Sequence, residues 1–305
     1  VPVDVNRPGP WTHRNLTARG TRFHAALAGP EAPTGAETVG PLTLLVHGFP
    51  ECWWTWRHVV PVLAQAGHRV AALDLRGFGG SDRPPSGYDL VTLAQDLAAV
   101  VRSLGHERAV VVGAGLGGQV AWTLPHVAPD LTTAIVPVGA PHPLALRSLR
   151  SRALSGPALQ YASLQIPGLA ERRLRSRSAL EGLLRSWAGP HTREAVAEEA
   201  PYYAELLSRP GAAHSALEPL RNLVLSRAET AALDKPVAVP VLSVQGELDP
   251  VQPAQAYARD THHVTGNLRQ ATIRRSGHFP QEEAPAELVR ALLPFLADVA
   301  PAASA

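Results

Sequence analysis

A chain of 305 residues with 45% hydrophobic content is long enough for one large α/β domain with an inserted subdomain, and rich enough for a substantial core. Its 28 basic and 26 acidic residues leave a formal charge of only +2, with no basic stripe of the kind that nucleic-acid binding requires. One cysteine, Cys52, excludes an intrachain disulfide, and no apolar run approaches a membrane span.

The opening VPVDVNRPGP lacks a signal-peptide core, so a cytoplasmic location is expected; the absence of methionine points to a trimmed or incompletely recorded start. Asn15–Leu27 alternates around Arg19-Gly20 and reads as a hairpin. After a Pro/Gly/Thr loop over Glu31–Gly40, Leu42–Val46 is a continuously apolar strand of the kind buried on both faces of a parallel sheet, and it ends in His47-Gly48-Phe49-Pro50. A helix over about Trp54–Ala66 and a strand over Arg69–Leu75 follow, closing in DLRGFGGSDRP (Asp74–Pro84). Tyr88–Leu104 carries apolar residues at helical spacing, from Leu90, Leu93 and Leu97 to Val100, Val101 and Leu104.

The stretch Arg108–Thr123 is the most informative. Val110, Val111 and Val112 run into a glycine-rich turn and then a helical pattern, the strand–turn–helix grammar of a nucleophile elbow, G-x-(nucleophile)-x-G. Gly113, Gly117 and Gly118 stand where that turn needs small residues. The nucleophile position itself holds Gly115, which has no side chain. GAGLGG is not a dinucleotide fingerprint, because G-x-G-x-G-G differs from G-x-G-x-x-G and no acidic residue ends the next strand.

Ala134–Val138 is the next strand, followed by GAPHP (Gly139–Pro143). From Leu144 to about Ala232 the β–α rhythm stops, and Pro-punctuated helical segments form an expected cap, giving a core of residues 1–143 and 233–305 around a cap of 144–232. Arginines at Arg147–Arg152 and Arg172–Arg177 read as solvated faces of the cap helices. Strand grammar returns at Val239–Val244 before GELDP (Gly246–Pro250), and at Ala271–Arg274 before SGHFP (Ser276–Pro280); Glu287–Val299 closes the chain as a helix. The alternation predicts an α/β fold with a mostly parallel, doubly wound sheet, whose ligands bind at the carboxyl ends of the strands. His47, Gly115, Asp249 and His278 all follow strands, so the fold gathers them.

With these motifs in hand, the chain resembles the α/β-hydrolase superfamily, and within it the epoxide hydrolase branch near the haloalkane and haloacid dehalogenases. The match runs from about Trp11 to Leu296 and rests on HGFPE..W.W (His47–Trp56), DLRGFGGSDRP and GAPHP taken together. The resemblance implies oxyanion-hole amides at Phe49 and Leu116, Asp249 as the acid and His278 as the base, in the chain order of that fold. Glu247 is the poorer candidate for the acid. The branch carries His-Asp at the positions of Ala114 and Gly115, so the chemistry departs where the scaffold does not. It also carries cap tyrosines that protonate the leaving oxygen. The match to Gln165-Ile166-Pro167-Gly168 puts Ser163 at one such position, with Tyr161 two residues earlier, and the residue before Arg221 is Leu220 at the other. Tyr161, Tyr202 and Tyr203 stay open as donors.

Cys52 reads as a small buried filler rather than a replacement nucleophile, and Trp53, Trp54, Trp56 and Trp187 as packing residues, Trp187 at the core–cap pocket with His47. No cofactor or metal is implied. The expected ligand is a small apolar molecule between core and cap, with no nucleic-acid or membrane partner; a homodimer stays open. The leading functional reading is a diverged enzyme using the Asp249–His278 dyad without a covalent intermediate, by water activation or proton abstraction. The alternatives are a non-catalytic small-ligand binder on the same fold, and a family epoxide hydrolase carrying inactivating substitutions.

Overall fold

A computed structural model describes residues 4–31, 41–147, 162–222 and 225–301. Eight strands form one sheet in the order β1-β2-β4-β3-β5-β6-β7-β8. They are β1 (Thr12–Ala18), β2 (Thr21–Ala28), β3 (Leu42–Val46), β4 (Val70–Leu73), β5 (Ala109–Ala114), β6 (Thr132–Val138), β7 (Val241–Gly246) and β8 (Leu268–Ile273). β1 and β2 form the expected hairpin, with Arg19 and Gly20 both at positive φ, as a two-residue turn between right-twisted strands requires. β2 meets β4 antiparallel, and the strands from β4 through β3 to β8 are parallel to one another.

The parallel centre is apolar because helices cover both faces; β3, β4, β5 and β6 are buried along their whole lengths. α1 (Val60–Gln65) is preceded by a 3-10 turn over Trp53–Trp56, so the helix expected from Trp54 is broken into two pieces. α2 (Leu90–Ser103) begins at Asp89, whose side chain accepts from the Thr92 amide, and buries Leu90, Leu93, Leu97, Val100 and Val101. α3 (Leu116–Val127) starts directly on the turn after β5 and is buried through Pro125.

Between β6 and β7 the described chain is helical: α4 (Pro143–Arg147), α5 (Leu169–Arg175), α6 (Arg177–Trp187), α7 (Arg193–Ala197), α8 (Ala200–Leu207), α9 (Ala212–Arg221) and α10 (Arg227–Leu233). α6 buries Leu180, Leu183, Leu184 and Trp187, one stripe at i, i+3, i+4 and i+7. α11 (Ala254–Ala258), α12 (Pro280–Glu283) and α13 (Pro285–Val299) complete the fold. No helix among the described residues is long and apolar enough to cross a membrane.

The sheet order decides what meets at the carboxyl ends. Val46 of β3 pairs with Gly113 of β5, and Ala114 with Val138 of β6, so the turn after β5 lies between the loops after β3 and β6. Gly246 of β7 pairs with Ile273 of β8, which sets the GELDP and SGHFP loops side by side. The turn is tight. A Cβ on Gly113 would overlap the Gly117 carbonyl, one on Gly117 the Val46 carbonyl, and one on Gly118 the Ala140 Cβ. Gly115 differs: its φ is 48°, but a Cβ there would lie 3.4 Å from the nearest atom, in ordinary contact.

Denaturation of the variants separates these two demands. Gly113→Ala is expected to destabilise the protein by several kcal/mol through overpacking of backbone on backbone, roughly 3 or more. Gly115→Ala costs only the left-handed strain, about 1–2 kcal/mol. Equal losses in urea titrations would show that space is not what distinguishes the two positions.

Candidate active site

Gly115 is the N-cap of α3, with its amide on the Val138 carbonyl (2.9 Å) and the next glycine amide, that of Gly117, on the His47 carbonyl (3.2 Å). These bonds hold the turn against β6 and the loop after β3. The atom closest to the Cβ direction of Gly115 is His278 Nε2, and Gly48 Cα follows at 3.6 Å. On its other side the imidazole bonds through Nδ1 to Asp249 Oδ2 at 3.0 Å. Asp249 Oδ1 accepts from the amides of Val251 (2.8 Å) and Gln252 (3.1 Å), so the carboxylate is held by its own loop. A carboxylate only accepts, so Nδ1 carries the proton and Nε2 offers its lone pair toward the space above Gly115. The amides of Phe49 and Leu116 donate to no protein acceptor among the described residues.

Burial works against a charged His278, yet the charge and hydrogen bond of Asp249, with Glu51 and Glu283 farther off, outweigh it and hold the pKa above the ordinary 6.5. Glu51, of the HGFPE motif, lies beneath the same loop and is buried. Its Oε1 accepts from Thr55 Oγ1 (2.5 Å) and Gln281 Nε2 (3.2 Å). Burial and then the neighbouring Glu282 raise its carboxyl to about 7, against the opposing pull of Thr55, His278 and Gln281.

The base is tied to the insertion. The His278 amide donates to the Trp187 carbonyl at 2.9 Å, and the Trp187 ring stands edge-on to the imidazole at 5.5 Å. Glu283 gathers the strap: Oε2 accepts from the amides of Gly189 (2.7 Å) and Gly277 (2.9 Å) and from the Thr192 hydroxyl, and Oε1 from the Phe279 amide (3.0 Å). One carboxylate therefore joins the SGHFP loop to the chain leaving α6.

A profile of the alpha/beta hydrolase fold matches residues 41–285, which include the elbow turn, Asp249 and His278. The chain belongs to the α/β-hydrolase fold family. Epoxide hydrolase A of Mycobacterium tuberculosis is 31% identical across 94% of this chain and 98% of its own length. Epoxide hydrolase 3 of Xenopus tropicalis is 32% identical over 91% of this chain and 75% of its own. The solved epoxide hydrolase from an endophytic Streptomyces superposes with a TM-score of 0.78 at 29% identity, covering 95% and 96% of the two chains.

Within this α/β-hydrolase fold the expected residues separate into groups. Gly115, Asp249, His278, Phe49, Leu116 and Trp187 come together. His47 is fully buried: Nδ1 donates to the Gly48 carbonyl (2.7 Å) and Nε2 accepts from the Leu75 amide (3.1 Å), so it holds the loop from below. Glu247 accepts the exposed Arg275 amide, away from the imidazole. Burial, and then the Asp74 carboxylate, push the Cys52 thiol up, which leaves it a poor nucleophile. Ser163 accepts from Arg173 Nη1 (2.8 Å), and Leu220 is buried on α9; Tyr161 lies outside the described residues. The Tyr203 hydroxyl donates to Glu282 (3.3 Å), while Tyr202 packs against Trp54 under the Arg7 guanidinium. No metal-ligand cluster of His, Cys, Asp or Glu occurs among the described residues.

Sequence reasoning passed over Glu51 and Glu283. HGFPE displayed the first as a motif letter, but its burial depends on Gln281 arriving from the far end of the chain. A carboxyl whose folded value is about 7 against 4.5 unfolded binds its proton more tightly in the native state. Its contribution is full below 4.5 and lost as pH rises through 7. That gap corresponds to about 3 kcal/mol. Glu51→Gln is therefore expected to be more stable than the parent at about pH 8 and no more stable at about pH 5. Urea denaturation at both values checks this, and a difference independent of pH would contradict it.

Proposed function

We propose that the protein is a diverged hydrolase of the epoxide hydrolase branch, acting on a small apolar substrate through the Asp249–His278 dyad without a covalent enzyme intermediate. The observation that carries the reading is the meeting of an oriented imidazole with a side-chain-free turn: His278 Nε2 faces Gly115 from 3.4 Å beyond its missing Cβ. The branch's attacking aspartate belongs at that position, and in this reading a water within reach of Nε2 takes over the attack.

In this scheme Nε2 takes a proton from the water as its oxygen bonds to the substrate carbon. Asp249 stabilises the imidazolium that forms, and the Phe49 and Leu116 amides face developing negative charge. For an epoxide the carbon–oxygen bond breaks, and the alkoxide recovers a proton from the imidazolium or from solvent, for net addition of water. With a substrate bearing an acidic C–H, the same lone pair abstracts that proton instead. We take residues 144–232 as a cap that closes over the substrate. The competing reading, a non-catalytic binder, is favoured by the glycine at 115 and the leucine at 220, and opposed by the retention of a fully assembled dyad.

Turnover of a panel of small epoxides and esters tests the proposal. The rate is expected to rise with pH through a midpoint above 6.5, because only neutral His278 accepts a proton and its pKa is raised. Asp249→Asn is expected to lower turnover by about 10³–10⁴-fold. Intact-mass measurement during turnover should show no adduct; an adduct on the Ala114–Gly118 peptide contradicts the scheme, and ligand binding without turnover selects the binder.

Restoring the carboxylate alone is not expected to produce an efficient epoxide hydrolase, since general-acid assistance to the leaving oxygen is worth about 10²–10⁴-fold. Styrene oxide turnover by Gly115→Asp should stay low, and rise when Ser163→Tyr and Leu220→Tyr are added. Strong turnover by the single variant would assign the donor to another hydroxyl, Tyr161 or Tyr202 first.

A further inference from the structure

Residues 4–11, ahead of β1, form neither helix nor strand, yet their backbone is fastened to the core by ring N–H groups. The Val5 carbonyl accepts from Trp53 Nε1 (3.0 Å), and the Arg7 carbonyl accepts from Trp11 Nε1 (2.9 Å) and His13 Nε2 (2.8 Å). Arg7-Pro8-Gly9-Pro10 places two residues of fixed φ in this short stretch, and a Cβ on Gly9 would overlap the Trp11 ring. The Arg7 side chain therefore leaves from a fixed point of backbone.

That side chain crosses to the helical insertion. Its guanidinium carbon lies 4.4 Å from the centre of the Trp54 ring and 4.0 Å from that of Tyr202 on α8, and the two ring centres are 6.1 Å apart. Its Nη1 is 3.4 Å from Oε2 of Glu199, the residue that precedes α8. Glu199 is shared: Oε2 also accepts from Trp54 Nε1 (2.9 Å), and Oε1 pairs with Arg57 Nη2 (3.2 Å). Arg57 reaches on to Glu282 (2.6 Å), the acceptor of the Tyr203 hydroxyl. The two arginines differ in commitment. Arg57 is 13% exposed and holds two carboxylates, whereas Arg7 is 35% exposed and holds one.

We propose that residues 4–11 are a strap that fastens the helical insertion to the sheet domain, with Arg7 as the positioning residue that holds α8 against the Trp54 turn and sets how often the insertion opens. The link to substrate admission rests on reading residues 144–232 as a cap. A cation against two aromatic rings and a carboxylate is attracted by all three, and separating α8 from the Trp54 turn breaks those contacts together. Arg57 keeps Glu282 whichever way α8 moves, because both belong to the sheet domain. Arg7 has no second carboxylate among the described residues, so its hold is the one that opening gives up.

Amide hydrogen exchange of the whole chain, read over residues 199–207 with α2 as the reference, tests it. Arg7→Gln is expected to speed exchange over 199–207 about tenfold, the worth of one desolvated cation–π contact, and to leave α2 unchanged. Arg7→Lys keeps the charge and should restore part of the protection. Arg14→Gln removes an exposed arginine of β1 whose side chain makes no hydrogen bond or ion pair among the described residues, and should change neither region. Where a substrate is turned over, Arg7→Gln should lower kcat/KM without moving the pH midpoint, since the strap touches neither Asp249 nor His278. Exchange over 199–207 unchanged by Arg7→Gln overturns the proposal, as does equal acceleration in α2 or an equal effect of Arg14→Gln. Absence of turnover bears on the catalytic reading alone, and the exchange result decides the strap.

Discussion

Backbone packed on backbone at the turn after β5 is the constraint on which the candidate site depends. Gly113, Gly117 and Gly118 have no room for a Cβ because carbonyls of the turn itself and of β3, and the Ala140 side chain, occupy it. That closeness forces the chain to reverse at Gly115 with φ 48° and to present the position beneath His278. Three of the glycines answer to packing. Gly115 answers only to the dihedral, in a place where a side chain is sterically acceptable. Its glycine therefore leaves the packing of the scaffold intact.

The same economy governs the carboxyl groups around the turn. Asp249 is fed by two backbone amides and faces one imidazole nitrogen, so it orients that ring and favours its protonated form. Glu283 is fed by three amides and a hydroxyl and serves as a clasp between two segments. Burial, and then the neighbouring Glu282, raise the Glu51 carboxyl, with two side-chain donors, Thr55 and Gln281, pulling the other way.

The DLRGFGGSDRP loop works as scaffold. Asp74 joins β2, the Trp53 turn and Gly80, while Arg76 makes a bidentate pair with Asp96 of α2 at 2.6 and 2.9 Å. Both partners are buried, so removing Asp96 leaves the Arg76 guanidinium a buried charge without its carboxylate, which ties the loop to α2. His47 belongs to this framework rather than to the ligand space, although its position after β3 made it look like a site residue.

Strand and helix periodicity, together with motif order, were enough to recognise the sheet, the helices between β6 and β7, and an acid and a histidine following strands at Asp249 and His278, because those properties are local: apolar runs and glycine turns. β3 and α2 came out at or within a few residues of their observed bounds. That residue 115 is a glycine is a matter of sequence alone. What only the tertiary structure decided were contacts between residues far apart in sequence: Glu51 with Gln281, 230 residues apart, Glu283 with Gly189, and Arg7 with Glu199. Whether a glutamate is a titrating group, a clasp or a solvated charge depends on its burial and on the groups around it. Those groups arrive from elements that the one-dimensional pattern does not pair.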